Sequence, residues 1–128
     1  MSMQETVHVA LGARSYDVVI GPDLLAEAGA RIQPVLHRPK VAVVSEENVA
    51  RLHLDNLRAG LAKAGIDMEV LLLPPGESTK GWPQFTRCVE WLLEQKVERN
   101  DIVIAFGGGV IGDLVGFAAA VLRRGVRF

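Results

Sequence analysis

The sequence predicts an α/β domain: a parallel sheet with helices on both faces, preceded by an N-terminal β-hairpin. Three observations carry that expectation. Continuous apolar runs rich in β-branched residues recur along the chain, each of strand length. Longer segments between them place apolar residues at three- and four-residue steps, the spacing of an amphipathic helix. Near the amino terminus, two short alternating runs flank a turn instead.

Taken in order, "TVHVAL" (6–11) and "YDVVI" (16–20) surround "GARS" and read as a hairpin. "GPDLLAEAGARI" follows as a helix, with Pro22 at its first position and Leu24, Leu25 and Ala28 on its apolar face. "KVAVVS" (40–45) reads as a strand covered on both sides. From Asn48 to Ala64, Leu54, Leu57, Leu61 and Ala64 mark one helical stripe, and Gly65 can close it. "MEVLLLP" (68–74) is a second buried strand, and "PPGESTKGW" (74–82) a loop in which Ser78 is a candidate helix cap. Phe85, Cys88, Val89, Leu92 and Leu93 mark a helix running to about Val97, with Trp82, Trp91 and Phe85 as core or helix-packing residues. "DIVIAF" (101–106) is a third buried strand, and Val110 to Arg123 a final helix. Strand-helix alternation of this kind builds a Rossmann-like parallel sheet, in which ligands gather at the carboxyl ends of the strands.

Composition narrows the function. At 128 residues and 49% hydrophobic, the chain suits one compact domain. Lys and Arg number 14 against 15 Asp and Glu, so there is no electrostatic case for nucleic acid or an anionic membrane as partner. The single cysteine, Cys88, allows no internal disulfide and suits a reducing compartment. No secretion signal opens the sequence, and its most apolar stretch, residues 107–122, contains Asp113 and is too short to span a bilayer. A cytoplasmic protein is expected. The three histidines, His8, His37 and His53, show no metal-ligand spacing, and no Ser-His-Asp or Cys-His arrangement is visible.

The informative stretch is "GGGVIGD", between the third buried strand and the last helix. Glycine tolerates φ > 0 and lets the backbone approach a ligand with no Cβ in between. The helix start then aims free N–H groups and its dipole at the same spot, which favours phosphate. The spacing is neither G-x-G-x-x-G nor that of a P-loop, so a phosphate-binding turn and a plain tight turn both remain open. Gly112, Gly116 and Ala120 form a small-residue stripe suited to close approach of a nucleotide or of the sheet. Asp113, placed in the first turn, either compensates the dipole or accepts hydrogen bonds from a cofactor. Glu46 and Glu47 compete for the ribose-binding position after the first central strand, or simply charge a helix start. Glu77 and Lys80 are either cofactor contacts or a solvated loop pair. Arg123, Arg124 and Arg127 cluster where a helix C-terminus attracts cations, and Arg124 could also offer a fork to phosphate.

"GGGVIGDLVGFAAAVLRRGVRF", preceded by "PPGESTK" and "VVSEENV", closely resembles the N-terminal domain of the 3-dehydroquinate synthase family, as does the opening "ALGARSYDVVIGPDLL". The resemblance covers essentially the whole chain and implies an NAD-binding domain over residues 1–128. The family's enzymes convert 3-deoxy-D-arabino-heptulosonate 7-phosphate into 3-dehydroquinate and phosphate, in the shikimate pathway of aromatic amino acid biosynthesis. They hold NAD on this domain and Zn or Co on a helical C-terminal domain. Carried onto this sequence, the resemblance makes Gly108, Gly109 and Val110 the residues facing the pyrophosphate and nicotinamide side, and Asp113 a cofactor contact. Glu77 and Lys80 become cofactor contacts of the second loop. Glu46, where the family commonly has Asp, and Asn48 become the ribose side. Arg124 becomes the arginine reaching the phosphate of the substrate, a phosphorylated sugar acid, in a neighbouring subunit of a homodimer. Arg123 stands where a hydrophobic residue is expected. The family sequence continues past Phe128 into a threonine pair, a lysine-bearing loop and the metal-binding domain. This chain is therefore expected to be truncated and inactive alone. A related sugar-phosphate cyclase, a metal-dependent glycerol or alcohol dehydrogenase domain, and a non-catalytic nucleotide-binding module are the alternatives.

Overall fold

A computed structural model describes residues 4–76 and 81–128, the side chain of Arg124 excepted. Glu77, Lys80 and the candidate cap Ser78 lie outside the described residues.

The expected hairpin is present as antiparallel strands β1 (Glu5–Val9) and β2 (Tyr16–Ile20), joined through a 3-10 turn at Gly12–Arg14. Val7 faces Val18 and Val9 faces Tyr16 across the ribbon, so one of its faces is apolar, and Val7, Tyr16, Val18 and Ile20 are all exposed. The hairpin forms a sheet of its own.

A second sheet carries the domain. Strands β3 (Lys40–Glu46), β4 (Asp67–Leu73) and β5 (Val103–Phe106) run parallel in the order β4-β3-β5. Alternate residues of β3 point to opposite faces, and both faces are dry. Val41 and Val43 pack with Leu57, Leu61 and Ile66 beneath helix α2 (Glu47–Ala62). Ala42 and Val44 pack on the other side with Cys88 and Leu92 of helix α3 (Trp82–Glu94) and Ile111, Val115 and Ala118 of helix α4 (Gly109–Val121). Burial on both sides is why these strands read as continuous apolar runs.

Several boundaries differ from the sequence reading. The helix expected from Pro22 is broken: a 3-10 turn at Leu24–Glu27, a short helix α1 (Ala28–Ile32) and another 3-10 turn at Gln33–Val35 replace it. Pro22 precedes the helical residues because Asp23 adopts the left-handed conformation, φ 57°, which ends any helix there. α1 lies against α2 at glycine-glycine contact. A Cβ on Gly60 would sit 1.9 Å from the Leu25 carbonyl oxygen, and one on Gly29 would sit 2.4 Å from the Gly60 carbonyl oxygen. α3 stops at Glu94, short of Val97, because Lys96 turns left-handed at φ 56°. α4 stops at Val121; Arg123 is left-handed at φ 46° and Gly125 at φ 118°. The chain then turns back, and Arg127 forms a parallel bridge with Ile102 beside β5.

Candidate functional site

The carboxyl ends of β3, β4 and β5 converge on a pocket of about 280 Å³. Glu46 contributes from the end of β3 and Asn48 from the first turn of α2, Pro75 and Gly76 from beyond β4, and residues 108–111 from the glycine turn after β5 and the start of α4. Parallel strands bring these segments together because all their carboxyl ends lie on one edge.

Each glycine of the turn has a separate reason. A Cβ on Gly107 would stand 3.0 Å from Cγ1 of the buried Ile111, so this position serves packing. A Cβ on Gly108 or Gly109 would meet nothing within 4 Å; here the bare backbone faces the pocket. None of the three has positive φ, so the freedom used is close approach rather than a left-handed bend. Gly108 caps α4 with no side-chain hydrogen bond. The first N–H groups of α4 lack intrahelical partners by geometry, and among the described residues no cap side chain takes them, which leaves them available to an acceptor in the pocket. This is a cradle a diphosphate fits.

Ser45, fully buried, donates its hydroxyl to the Phe106 carbonyl at 2.6 Å and so fixes the start of the glycine turn to the end of β3. The sequence reading missed it; its only signal is a hydroxyl closing an apolar strand.

Between the two competing acids the geometry separates the roles. Glu46 caps α2: one carboxylate oxygen accepts the Val49 N–H at 2.6 Å and the other the Asn48 N–H at 2.8 Å. Its carboxylate is thereby held at the pocket wall, with lone pairs left for a further donor. Glu47 is exposed in the first turn of α2 and does not line the pocket.

Asp113 is placed differently from expectation. It is the fifth residue of α4, outside the first turn, so compensation of the dipole is not its role. It is exposed and lines a second cleft with Gly81, Trp82, Phe85, Leu114 and Phe117. Trp82, expected in the core or helix packing, is 72% exposed at the mouth of that cleft, in edge contact with Phe85. The small-residue stripe is not bare either, since the Phe128 ring lies 3.0 Å from where a Gly116 Cβ would be.

Of the three arginines expected to cluster, the two whose side chains are described each bind a loop carbonyl. Arg123 donates to the Val97 carbonyl at 2.8 Å and Arg127 to the Asn100 carbonyl. The backbone of Arg124 lies in the closing 3-10 turn, Leu122–Arg124; its side chain lies outside the described residues.

At the opposite end of the sheet, Asp101, 5% exposed, receives a two-pronged contact from Arg38 at 2.6 and 2.9 Å and the Glu98 N–H at 2.8 Å. Burial alone would raise the Asp101 carboxyl; the Arg38 fork and the Glu98 N–H outweigh it and hold the group below the usual carboxylate value. Among the described residues no group of three His, Cys, Asp or Glu could hold a metal ion, and no helix is long and apolar enough to cross a membrane.

Comparisons with known proteins fit this geometry. A family model described as 3-dehydroquinate synthase N-terminal matches residues 70–128. A 3-dehydroquinate synthase of Ruegeria sp. (strain TM1040) is 76% identical over 126 residues, covering 98% of this chain and 34% of that protein. A solved 2-deoxy-scyllo-inosose synthase, complexed with carbaglucose-6-phosphate, NAD+ and Co2+, superposes with a TM-score of 0.81 at 20% identity, covering 95% of this chain and 33% of that one. A 2-epi-5-epi-valiolone synthase from Streptomyces hygroscopicus subsp. jinggangensis 5008, with NAD+ and Zn2+ bound, gives a TM-score of 0.75 at 32% identity over 92% of this chain and 32% of that one. The fold is thus one shared with sugar-phosphate cyclases. Within that class the chain belongs to the 3-dehydroquinate synthase family, as its N-terminal type of domain. It spans 34% of the length of the curated relatives it matches.

Proposed function

We propose that this chain is the dinucleotide-binding part of a 3-dehydroquinate synthase, a phosphate-eliminating carbon-oxygen lyase acting on 3-deoxy-D-arabino-heptulosonate 7-phosphate in the cytoplasm. The observation that carries the reading is the bare backbone of Gly108 and Gly109 at an uncapped helix start, on the strand edge where β3, β4 and β5 end. In this reading Gly108, Gly109 and Val110 donate backbone N–H groups to the pyrophosphate. Glu46, held by its two cap bonds, accepts from a ribose hydroxyl, with Asn48 beside it. Glu77 and Lys80 act as cofactor contacts from the loop after β4, and Asp113 from α4. Arg124 binds the substrate phosphate across a homodimer.

When bound, NAD supplies a reversible hydride acceptor that activates the substrate for loss of phosphate. The residues of this chain bind and orient it. Zn or Co, the other cofactor of the reading, would be held by the helical C-terminal domain that the resemblance implies, not by the residues of this chain. The chain alone is therefore proposed to bind cofactor without turning over substrate.

Calorimetric titration with NAD+ tests this. Measurable binding that Gly109→Val removes is expected, because the new side chain would fill the cradle. Absence of heat and of thermal stabilisation with the unsubstituted chain would sink the reading, and formation of 3-dehydroquinate by the chain alone would sink its inactivity.

A further inference from the structure

Among the described residues two polar side chains are buried, and one of them, Asp101, is accounted for by its clamp on Arg38. The other, Ser45, lies behind the glycine pocket and does not line it. It falls near the end of a strand, "KVAVVSE", whose other buried positions are all apolar. Burying a hydroxyl there costs free energy unless it is bonded, and once bonded it adds little net stability. Alanine or valine would serve the core as well, so packing does not explain a serine at this position.

Its bond does. Ser45 and Phe106 are the last paired residues of the β3–β5 ladder, and beyond Phe106 the chain leaves the sheet through Gly107, Gly108 and Gly109. The Ser45 hydroxyl donates to the Phe106 carbonyl at 2.6 Å, pinning the exit of β5 where the backbone pairing ends. The next residue on β3 is Glu46, whose carboxylate accepts the Asn48 and Val49 N–H groups at 2.8 and 2.6 Å. Adjacent side chains of one strand therefore grip two walls of the pocket, Ser45 the glycine turn and Glu46 the start of α2. Glycines have no side chain with which to anchor themselves and keep wide backbone freedom, so the anchor has to come from outside the turn. A ligand held at two points gains from both only when their separation matches its own.

We infer that Ser45 is a positioning residue: through the Phe106 carbonyl it fixes the distance between the Gly108–Gly109 backbone and the Glu46 carboxylate, and so fits the pocket to a ligand carrying a diphosphate and a ribose together. The inference rests on the dinucleotide reading above. It adds a residue that meets no ligand atom and acts on the span between two contacts.

The test uses the 128-residue chain, calorimetry beside thermal melts, and three probes. NAD+ and ADP carry both ribose and diphosphate; inorganic pyrophosphate, read as a competitor of NAD+, carries only the latter. Ser45→Ala is expected to weaken NAD+ and ADP about five- to tenfold and pyrophosphate by less than about twofold. Ser45→Thr, which keeps the hydroxyl, should bring NAD+ affinity back to within about twofold of the parent. Arg38→Gln, at the opposite end of the sheet, should lower the melting temperature and leave NAD+ affinity as it was. Should Ser45→Ala fail to fold, Ser45→Cys, a weaker donor of similar shape, takes its place under the same thresholds. Unchanged NAD+ affinity in the folded Ala or Cys variant overturns the inference and leaves the dinucleotide reading standing. So does an equal loss for all three probes, a folded Ser45→Thr that binds no better than Ser45→Ala, or an equal loss of NAD+ affinity in Arg38→Gln. Pyrophosphate that does not compete removes the diphosphate cradle and the inference with it. Absence of NAD+ binding by the parent chain overturns both readings.

Discussion

Gly107 and Gly108 are chemically identical neighbours, yet they answer to different constraints. Replacing Gly107 with Ala drives a methyl to 3.0 Å from the buried Ile111 side chain, an overpacking that should cost about 1–2 kcal/mol and lower the melting temperature. Gly108→Ala meets open space at φ −83° and ψ −164°, a conformation any residue adopts, so the fold should melt within a degree or two of the parent. Its effect should appear instead as weaker dinucleotide binding, about tenfold or more if the pyrophosphate lies against that backbone. Thermal melts paired with calorimetry on both variants would separate the two roles. That a strand-to-helix turn stood at these glycines was legible in "GGGVIGD". Which glycine packs and which faces the pocket was not, because that depends on where Ile111 points. Ser45 and the Arg38–Asp101 pair were hidden for a similar reason: the first bonds a residue 61 positions away and the second pair is 63 apart, with no spacing rule to reveal them.

Among the elements, the strands were the most legible, since burial on both faces leaves an unmistakable apolar run. The first helix was the least. Its breaks follow from Asp23 turning left-handed and from Gly29 and Gly60 bringing two backbones together, neither of which is a periodic signal. Gly60→Ala should therefore be severe: its Cβ would meet the Leu25 carbonyl oxygen at 1.9 Å, which no side-chain shift relieves. We expect a loss of about 3 kcal/mol, at the upper end of overpacking, read by chemical denaturation. The loop entering β5 carries a pH dependence. Asp101 is held below its unfolded value, so its contribution is complete above about pH 4 and is lost as the pH falls through the lowered folded value. Melting temperature should accordingly drop on acidification from pH 5 towards pH 3. Asp101→Asn should flatten part of that slope, and an unchanged slope would remove the pair from the account.

For the molecule as a whole, stability is divided unevenly. The parallel sheet is sealed on both faces, while the hairpin stands as a separate two-stranded ribbon, tied back through Gln4 to Glu27 and Arg31. Backbone amides of residues 5–20 should exchange with solvent far faster than those of residues 41–45, a contrast that hydrogen-exchange measurements resolve directly. Cys88 offers the complementary probe. Burial pushes its thiol up to about 11, and its side chain is fully enclosed between α3 and the sheet. Modification by a thiol reagent at pH 8 should proceed only through opening of the core, at the rate or population of unfolding; fast labelling of the native protein would contradict the sealed core. The cap on α2 bears on how such a domain can change over time. One carboxylate, that of Glu46, both caps the start of a scaffold helix and borders the pocket at the glycine turn. If Glu46 holds a ribose as proposed, a lineage that altered this side chain to admit a phosphorylated ribose would loosen the helix in the same step, so drift in cofactor preference would be tied to the integrity of the scaffold and would wait for a second substitution that restores the cap.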